Sequence, residues 1–188
     1  MPRKAGRRFA IAAFVALLCL LCAAAPDPAQ SRPWKPTPAA LAQDYTQIID
    51  NRSGKELVLV WWLVPQLIPN SSAAAELLDK YVVVGIIHGH VDVGGTLSFD
   101  KIDSLQAMDG NSTPLKALIG DNIPPAVQGA LTAVEGVLRQ ALGPTGQGIA
   151  WFVFEGGAVH ACQKGGLSIP FEGETYTYET PIPGCPKT

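Results

Sequence analysis

Basic residues are scarce beyond the first eight positions of the chain. The basic residues of that start are Arg3, Lys4, Arg7 and Arg8. Without them, 10 Lys and Arg stand against 16 Asp and Glu, which gives a net charge of about −6 and no basic patch or run. This composition argues against nucleic acid and against anionic membrane surfaces as partners.

Cysteine is scarce as well. The chain has 4 cysteines, and two of them, Cys19 and Cys22, lie in an apolar segment near its start. Cys162 and Cys185 are the remaining pair, and neither a CxxC spacing nor a nearby third ligand accompanies them. Thiol catalysis and a structural zinc site are therefore disfavoured. In an oxidising compartment this pair predicts a single disulfide.

Specific catalytic motifs are missing from the sequence. It contains no G-x-S-x-G, no H-E-x-x-H and no calcium-loop spacing. The run GPTGQG at 143–148 resembles a phosphate-binding loop, but it follows a predicted helix, so we interpret it as a helix stop. Our first hypothesis is therefore a non-enzymatic exported domain that binds a protein or small-molecule partner or serves in the cell envelope.

The first 25 residues have the composition of an export signal. Basic residues within 1–8 precede the wholly apolar segment 9–25, and cleavage after Ala24 would place Cys22 and Ala24 at the small-residue positions. We predict a signal peptide over 1–24, a proline-rich linker over 25–42 and a single domain over 43–188, located in the periplasm or secreted. Alternatively, the apolar segment stays uncleaved as a membrane anchor, the one membrane contact that we expect.

Three asparagines, Asn51, Asn70 and Asn111, stand in N-x-S/T sequons. In a eukaryotic secreted protein they would be glycosylation candidates on surface loops. In a bacterial protein the same residues would reflect only the composition of turns. The sequence leaves both alternatives open.

Hydrophobic periodicity predicts an α+β fold. The nearly continuous apolar runs at 56–64 and 81–93 are typical of buried strands, and a short helix is predicted between them at 70–80. Trp61 and Trp62 are adjacent, so in a strand they point to opposite faces, where we interpret both as core residues.

A long amphipathic helix is predicted to begin at Pro124–Pro125 and to end at Gly143. Its apolar residues are Val127, Leu131, Val134, Leu138 and Ala141. Glycine-separated strand segments follow and predict a C-terminal β-meander. We therefore expect an antiparallel or mixed sheet with that meander, on which the long helix and the short helix pack.

The segment HGHVD at 88–92 is the most suggestive local pattern. In a strand, His88, His90 and Asp92 project from one face at successive separations of about 6.5–7 Å. Two imidazoles and a carboxylate can bind a divalent metal such as zinc, and His160 on another predicted strand is a further candidate ligand. Our second hypothesis is therefore a metal-binding protein or a metal-dependent hydrolase. The alternative is that the strand leaves the core at His88, so that these polar groups meet solvent.

Overall fold

Two β-sheets and few helices form the structure, which is broadly of the α+β class. The computed structural model describes residues 29–34, 47–52, 54–64, 73–157, 159–183 and 185. The predicted signal peptide, most of the predicted linker and the Asn70 sequon lie outside the described residues. Asn51 and Asn111, the other two sequon residues, are exposed.

Ten strands are described. In chain order they are β1 (Gln30–Pro33), β2 (Gln47–Arg52), β3 (Glu56–Leu63), β4 (Tyr81–Val91), β5 (Leu97–Phe99), β6 (Met108–Asp109), β7 (Ala117–Leu118), β8 (Ala150–Glu155), β9 (Gly165–Phe171) and β10 (Glu174–Thr180). The α-helices are α1 (Ala73–Leu78) and α2 (Pro125–Leu142), and 3-10 helices cover Gly120–Asn122 and Gly143–Gly148.

The larger sheet has six strands in the order β2-β3-β4-β8-β7, with β5 paired to the end of β4. Its neighbouring strands are all antiparallel. The smaller sheet has the order β1-β10-β9-β6, in which β1 runs parallel to β10. The two central strands of the larger sheet, β3 and β4, are the long apolar runs predicted from the sequence, and most of their residues are buried.

The two faces of the six-stranded sheet contact different layers. On one face, Val83 and Val153 pack with Val127 and Leu131 of α2. On the other face, residues such as Val84 pack against the four-stranded sheet in a shared hydrophobic core. The six-stranded sheet therefore lies between a helical layer and a second sheet, and we call the space between the two sheets the inter-sheet layer.

Trp61 and Trp62 show the consequence of this layering. Trp61 packs on the helical side with Ile87 and Ile149, whereas Trp62 lies in the inter-sheet layer with its ring centroid 5.7 Å from that of Tyr178. Both indoles are buried. The two adjacent tryptophans thus point to opposite faces, as predicted, and each belongs to a different core.

The C-terminal strands do not form the predicted single meander. Among the described residues, β8 lies between β4 and β7 of the six-stranded sheet, while β9 and β10 form a hairpin in the other sheet. The reason is that β8 is apolar on both faces, with Phe154 in the inter-sheet core and Val153 on the helical side. Such a strand is stable in the middle of a covered sheet.

The segment predicted as an extended linker also differs in its described part. Gln30–Pro33 forms β1 and pairs in parallel register with Glu174–Thr177. The next residue, Trp34, is 9% exposed and packs in the inter-sheet core. These residues therefore belong to the folded domain, although proline-rich composition alone favours a linker.

Cys162 and Cys185 form the predicted disulfide, with their Cα atoms 5.4 Å apart. Cys162 precedes β9 and Cys185 follows β10, so the bridge joins the two outer ends of this hairpin. A disulfide is compatible with an exported protein. Within the part of the chain that the structure describes, no helix is both long and apolar enough to cross a bilayer.

Candidate metal centre

The centre lies at the end of β4, where the inter-sheet layer changes from apolar to polar. Val84 and Ile86 occupy the inter-sheet face of β4, and His88 and His90 continue the same face. The His88 side chain is only 9% exposed, and its ring packs edge-on against Phe171. The His90 side chain is 45% exposed. The strand therefore has not left the core at His88, and only His90 reaches solvent.

Asp100 supplies a carboxylate to both histidines. The β4–β5 hairpin pairs His90 with Ser98, and the Asp100 amide donates to the His88 carbonyl at 2.9 Å. The Oδ2 atom of Asp100 lies 3.0 Å from His88 Nδ1 and 2.8 Å from His90 Nε2. One potential ligand atom from each residue falls within 4.8 Å of the other two. Two imidazole nitrogens and a carboxylate oxygen thus converge on one point.

Asp92, the carboxylate predicted from the HGHVD pattern, serves the hairpin turn instead. Its Oδ1 atom accepts hydrogen bonds from the amides of Gly94 and Thr96, each at 2.8 Å. The Thr96 amide is the main cause of the lowered pKa of Asp92, and the Gly94 amide adds to it. The structure therefore assigns this residue to turn stabilisation, and Asp100 takes the place predicted for it beside the histidines.

His160, the predicted further imidazole, lies elsewhere in the fold. It precedes β9, and its Nδ1 atom accepts a hydrogen bond from the Cys162 amide at 3.2 Å. His88 instead contacts Phe171, the last residue of β9. The length of β9, about 20 Å for a strand of this size, thus separates the two regions. Of the four predicted residues, the structure brings together His88 and His90 alone.

Comparisons with protein-family models, with curated proteins and with solved structures returned no significant match. The centre is therefore interpreted from its own geometry.

A second row of polar side chains lies behind the histidines. Glu56 on β3 places Oε1 at 3.0 Å from His88 Nε2, on the side of the ring away from Asp100. Arg52 donates from Nη1 to the same Glu56 oxygen at 3.2 Å. His88 is thus flanked by a carboxylate at each ring nitrogen.

Arg52 connects this row to the four-stranded sheet. Its Nε donates to Asp50 at 3.0 Å, and its Nη2 donates to the Tyr176 hydroxyl at 2.7 Å. Burial alone would lower the pKa of Arg52, but the hydrogen bonds to Asp50 and Tyr176 and the charge of Glu56 raise it overall. Burial raises the pKa of Tyr176, whose hydroxyl donates to Asp50. The arginine is therefore a fixed positive charge held by several acceptors.

A cleft opens beside the candidate ligands. It has a volume of about 430 Å³, and its lining includes His88, Asp100 and Phe171. Asp103 and Glu172 also line it, against one lysine, Lys101, which is paired with Asp103. The excess of acidic groups favours a cation over an anionic ligand.

Sequence reasoning missed Asp100 and Glu56. Asp100 could have been found, because a hairpin turning at Asp92–Thr96 places residue 100 directly across from His88. Glu56 has no such local signal. Its proximity depends on the β3–β4 register, in which Glu56 stands opposite His90, a residue 34 positions later in the sequence.

Proposed function

We propose that this chain is an exported domain that binds a divalent transition-metal ion through His88, His90 and Asp100. The observation that carries the proposal is that His88, His90 and Asp100 each place a potential ligand atom within 4.8 Å of the other two, with Asp100 Oδ2 at 3.0 Å from His88 Nδ1 and 2.8 Å from His90 Nε2. In this proposal the protein acts by binding, and the metal ion is its small-molecule partner. The first and second hypotheses drawn from the sequence are then joined in one protein.

The donor set indicates the class of metal. Two imidazoles and one carboxylate suit Zn²⁺, Cu²⁺ or Ni²⁺, whereas Ca²⁺ and Mg²⁺ prefer oxygen ligands throughout. Ligand atoms around a tetrahedral zinc ion are about 3.3 Å apart, since each bond is about 2.0 Å long. The contacts of 3.0 Å and 2.8 Å from Asp100 to the two histidines are close to that separation.

Two further features support this setting. The Cys162–Cys185 disulfide is typical of a protein that folds in an oxidising compartment, and this supports the proposal that the chain is exported. On the opposite face of the six-stranded sheet, Val127 and Leu131 are buried against Val83 and Val153. We propose that α2 acts there as an amphipathic cover, which keeps β4 rigid beneath its two histidines.

A metal-dependent hydrolase is the second candidate, and the cleft favours it. Three protein ligands leave a fourth position for water on a tetrahedral zinc ion, as catalytic zinc sites require. The cleft beside His88 and Asp100 has room for a small substrate. Its acidic lining would direct such an enzyme to neutral or cationic substrates rather than phosphate esters.

Binding of Zn²⁺, measured by competition with a chromophoric chelator, tests the proposal. We expect His88→Ala and Asp100→Asn each to weaken the affinity for Zn²⁺ by at least about 100-fold, because each removes a direct ligand. Asp92→Asn is the matched control. It removes the carboxylate that the sequence pattern predicted as a ligand, but in the structure that carboxylate accepts hydrogen bonds from the amides of the hairpin turn. It should leave the affinity unchanged.

The opposite ranking of these variants contradicts the proposed site. If Asp92→Asn abolishes binding and Asp100→Asn does not, the carboxylate ligand is wrongly assigned. If the wild-type chain binds none of Zn²⁺, Cu²⁺ and Ni²⁺ with micromolar or tighter affinity, the proposed function is wrong. Hydrolysis of neutral p-nitrophenyl esters by the zinc-loaded protein, absent from His90→Ala, would favour the hydrolase.

A further inference from the structure

The two ring nitrogens of His88 each face a different carboxylate. Nδ1 lies 3.0 Å from Asp100 Oδ2, and Nε2 lies 3.0 Å from Glu56 Oε1. In the β3–β4 register, Glu56 stands opposite His90, so its side chain reaches His88 diagonally across the pair of strands. The ring is therefore held from both sides, in a pocket that leaves 9% of it exposed.

When the His88 ring is neutral, the two carboxylates play different parts. A neutral imidazole has one nitrogen that donates and one that accepts. If the proton sits on Nε2 and is donated to Glu56, the Nδ1 lone pair faces the Asp100 carboxylate. An acceptor nitrogen and a carboxylate oxygen at 3.0 Å repel each other unless a proton or a metal ion lies between them, and in the proposed site the metal ion takes this place.

Arg52 determines which carboxylate is free to move. Glu56 accepts from Arg52, whose guanidinium also donates to Asp50, to Tyr176 and to the Glu172 carbonyl. The Arg52 side chain is 15% exposed, so both it and its acceptors are held in one arrangement. The Asp100 side chain is 49% exposed, which leaves it free to adjust to an ion.

We infer that Glu56, held by Arg52, is a positioning residue that keeps the proton of His88 on Nε2 and so presents Nδ1 to the metal. This inference rests on the proposed metal-binding function. Carboxylates that accept the second N–H of a metal-bound histidine orient the ring and raise its basicity, and their removal typically weakens metal binding by 10–100-fold. Glu56 has the geometry of such a carboxylate.

The test compares Zn²⁺ affinity in Glu56→Ala and Glu56→Gln with that in the wild-type chain. We expect about a 10–100-fold loss for Glu56→Ala. Glu56→Gln should lose less, because its amide oxygen can still accept from Nε2. Glu174→Gln is the control, since this carboxylate lies at the same end of the inter-sheet layer but bonds to Arg32. Its affinity should equal that of the wild-type chain.

Nitrogen-15 NMR of the zinc-loaded protein separates positioning from simple stability. In the wild-type chain we expect the metal on Nδ1 and the proton on Nε2 of His88. In Glu56→Ala we expect part of the population to bind through Nε2 instead, whereas a merely structural role would leave the metal-bound nitrogen unchanged.

The two proposals fail in different ways. If Glu56→Ala binds Zn²⁺ as tightly as the wild-type chain while His88→Ala does not, the role of Glu56 is refuted and the metal site stands. If His88→Ala also binds as tightly as the wild-type chain, the metal site itself is refuted, and the role of Glu56 with it.

Discussion

The two ends of the inter-sheet layer are closed by different chemistry. At the end where β9 begins and β10 ends, the Cys162–Cys185 disulfide joins the strands, and the neighbouring Ala161 and Ile182 are buried in the core. The other end contains buried or half-buried polar and charged side chains, among them Asp50, Arg52, Glu56 and His88. One end is thus joined by a covalent bridge, and the other is held mainly by ion pairs and hydrogen bonds.

This difference is consistent with the proposed position of the metal site. Moving charged groups out of water costs several kcal/mol for each ion, and well-packed apolar residues can often replace such groups without loss of stability. Among the described residues, the disulfide end has one buried carboxylate, that of Asp109 opposite Leu167, which accepts hydrogen bonds from two amides of its own turn. The polar end gathers several such groups, and the proposed metal ion would give these charges a ligand to hold.

The largest expected effect comes from placing one charge in the apolar middle of the layer. Ile86 is fully buried on the same face of β4 as His90. Ile86→Asp should cost more than about 4 kcal/mol of unfolding free energy, because the new carboxylate has no partner. His90→Asp, which lies four residues further along the same face of β4, should lower the unfolding free energy by about 1 kcal/mol. Urea denaturation followed by circular dichroism measures both, and equal costs would remove the contrast between core and polar end.

Removal of the disulfide should have an intermediate effect that is confined to stability. The cysteines are separated by 23 residues, and a loop of that size stabilises the folded state by about 3 kcal/mol in the chain-entropy model. The double variant Cys162→Ser, Cys185→Ser should therefore unfold at lower urea concentration. Its Zn²⁺ affinity should not change, because the bridge lies at the other end of the layer. A parallel loss of affinity would show that the two ends are coupled.

Tyr178→Phe should have a small effect on stability at neutral pH and a distinct effect at high pH. The Tyr178 hydroxyl donates to the Val60 carbonyl at 3.0 Å, and its loss should cost about 1 kcal/mol.

Burial raises the pKa of Tyr178 well above its ordinary value. The unfolded chain loses this proton near pH 10, so the stabilisation is fully present below that pH and is lost as the pH rises towards the folded pKa. The unfolding free energy of the wild-type chain should therefore fall above about pH 10, and that of Tyr178→Phe should fall less. Identical alkaline slopes would contradict the burial of this hydroxyl. Part of the slope should remain in the variant, because the pKa of Tyr176 is raised as well.

The sequence was most informative where a pattern is local. The apolar runs of β3 and β4, the opposite orientation of Trp61 and Trp62 and the pairing of Cys162 with Cys185 all follow from composition, alternation or elimination. The end of α2 at Leu142 likewise follows from Gly143, whose φ of 57° lies in the region that favours glycine.

Long-range pairing was beyond the reach of such patterns. The separation of β8 from β9 and β10 depends on which sheet each strand joins, and the parallel contact of β1 with β10 joins residues more than 140 positions apart. The same limit applied to the candidate metal centre. His88 and His90 share a strand and were recognised, whereas Glu56 reaches them only through the register of two strands, and His160 was misplaced for the same reason.

The strand β1 has a consequence for anyone who shortens this chain. Its residues cover the edge of β10, and Trp34 donates its amide to the Thr177 carbonyl just beyond them. A fragment that begins at residue 43 would leave the backbone amides and carbonyls of β10 unpaired along that edge. The same strand carries the buried core residues Tyr176 and Tyr178. Exposed edges of this kind recruit strands from other molecules. Removing the proline-rich segment, and β1 with it, would therefore promote aggregation.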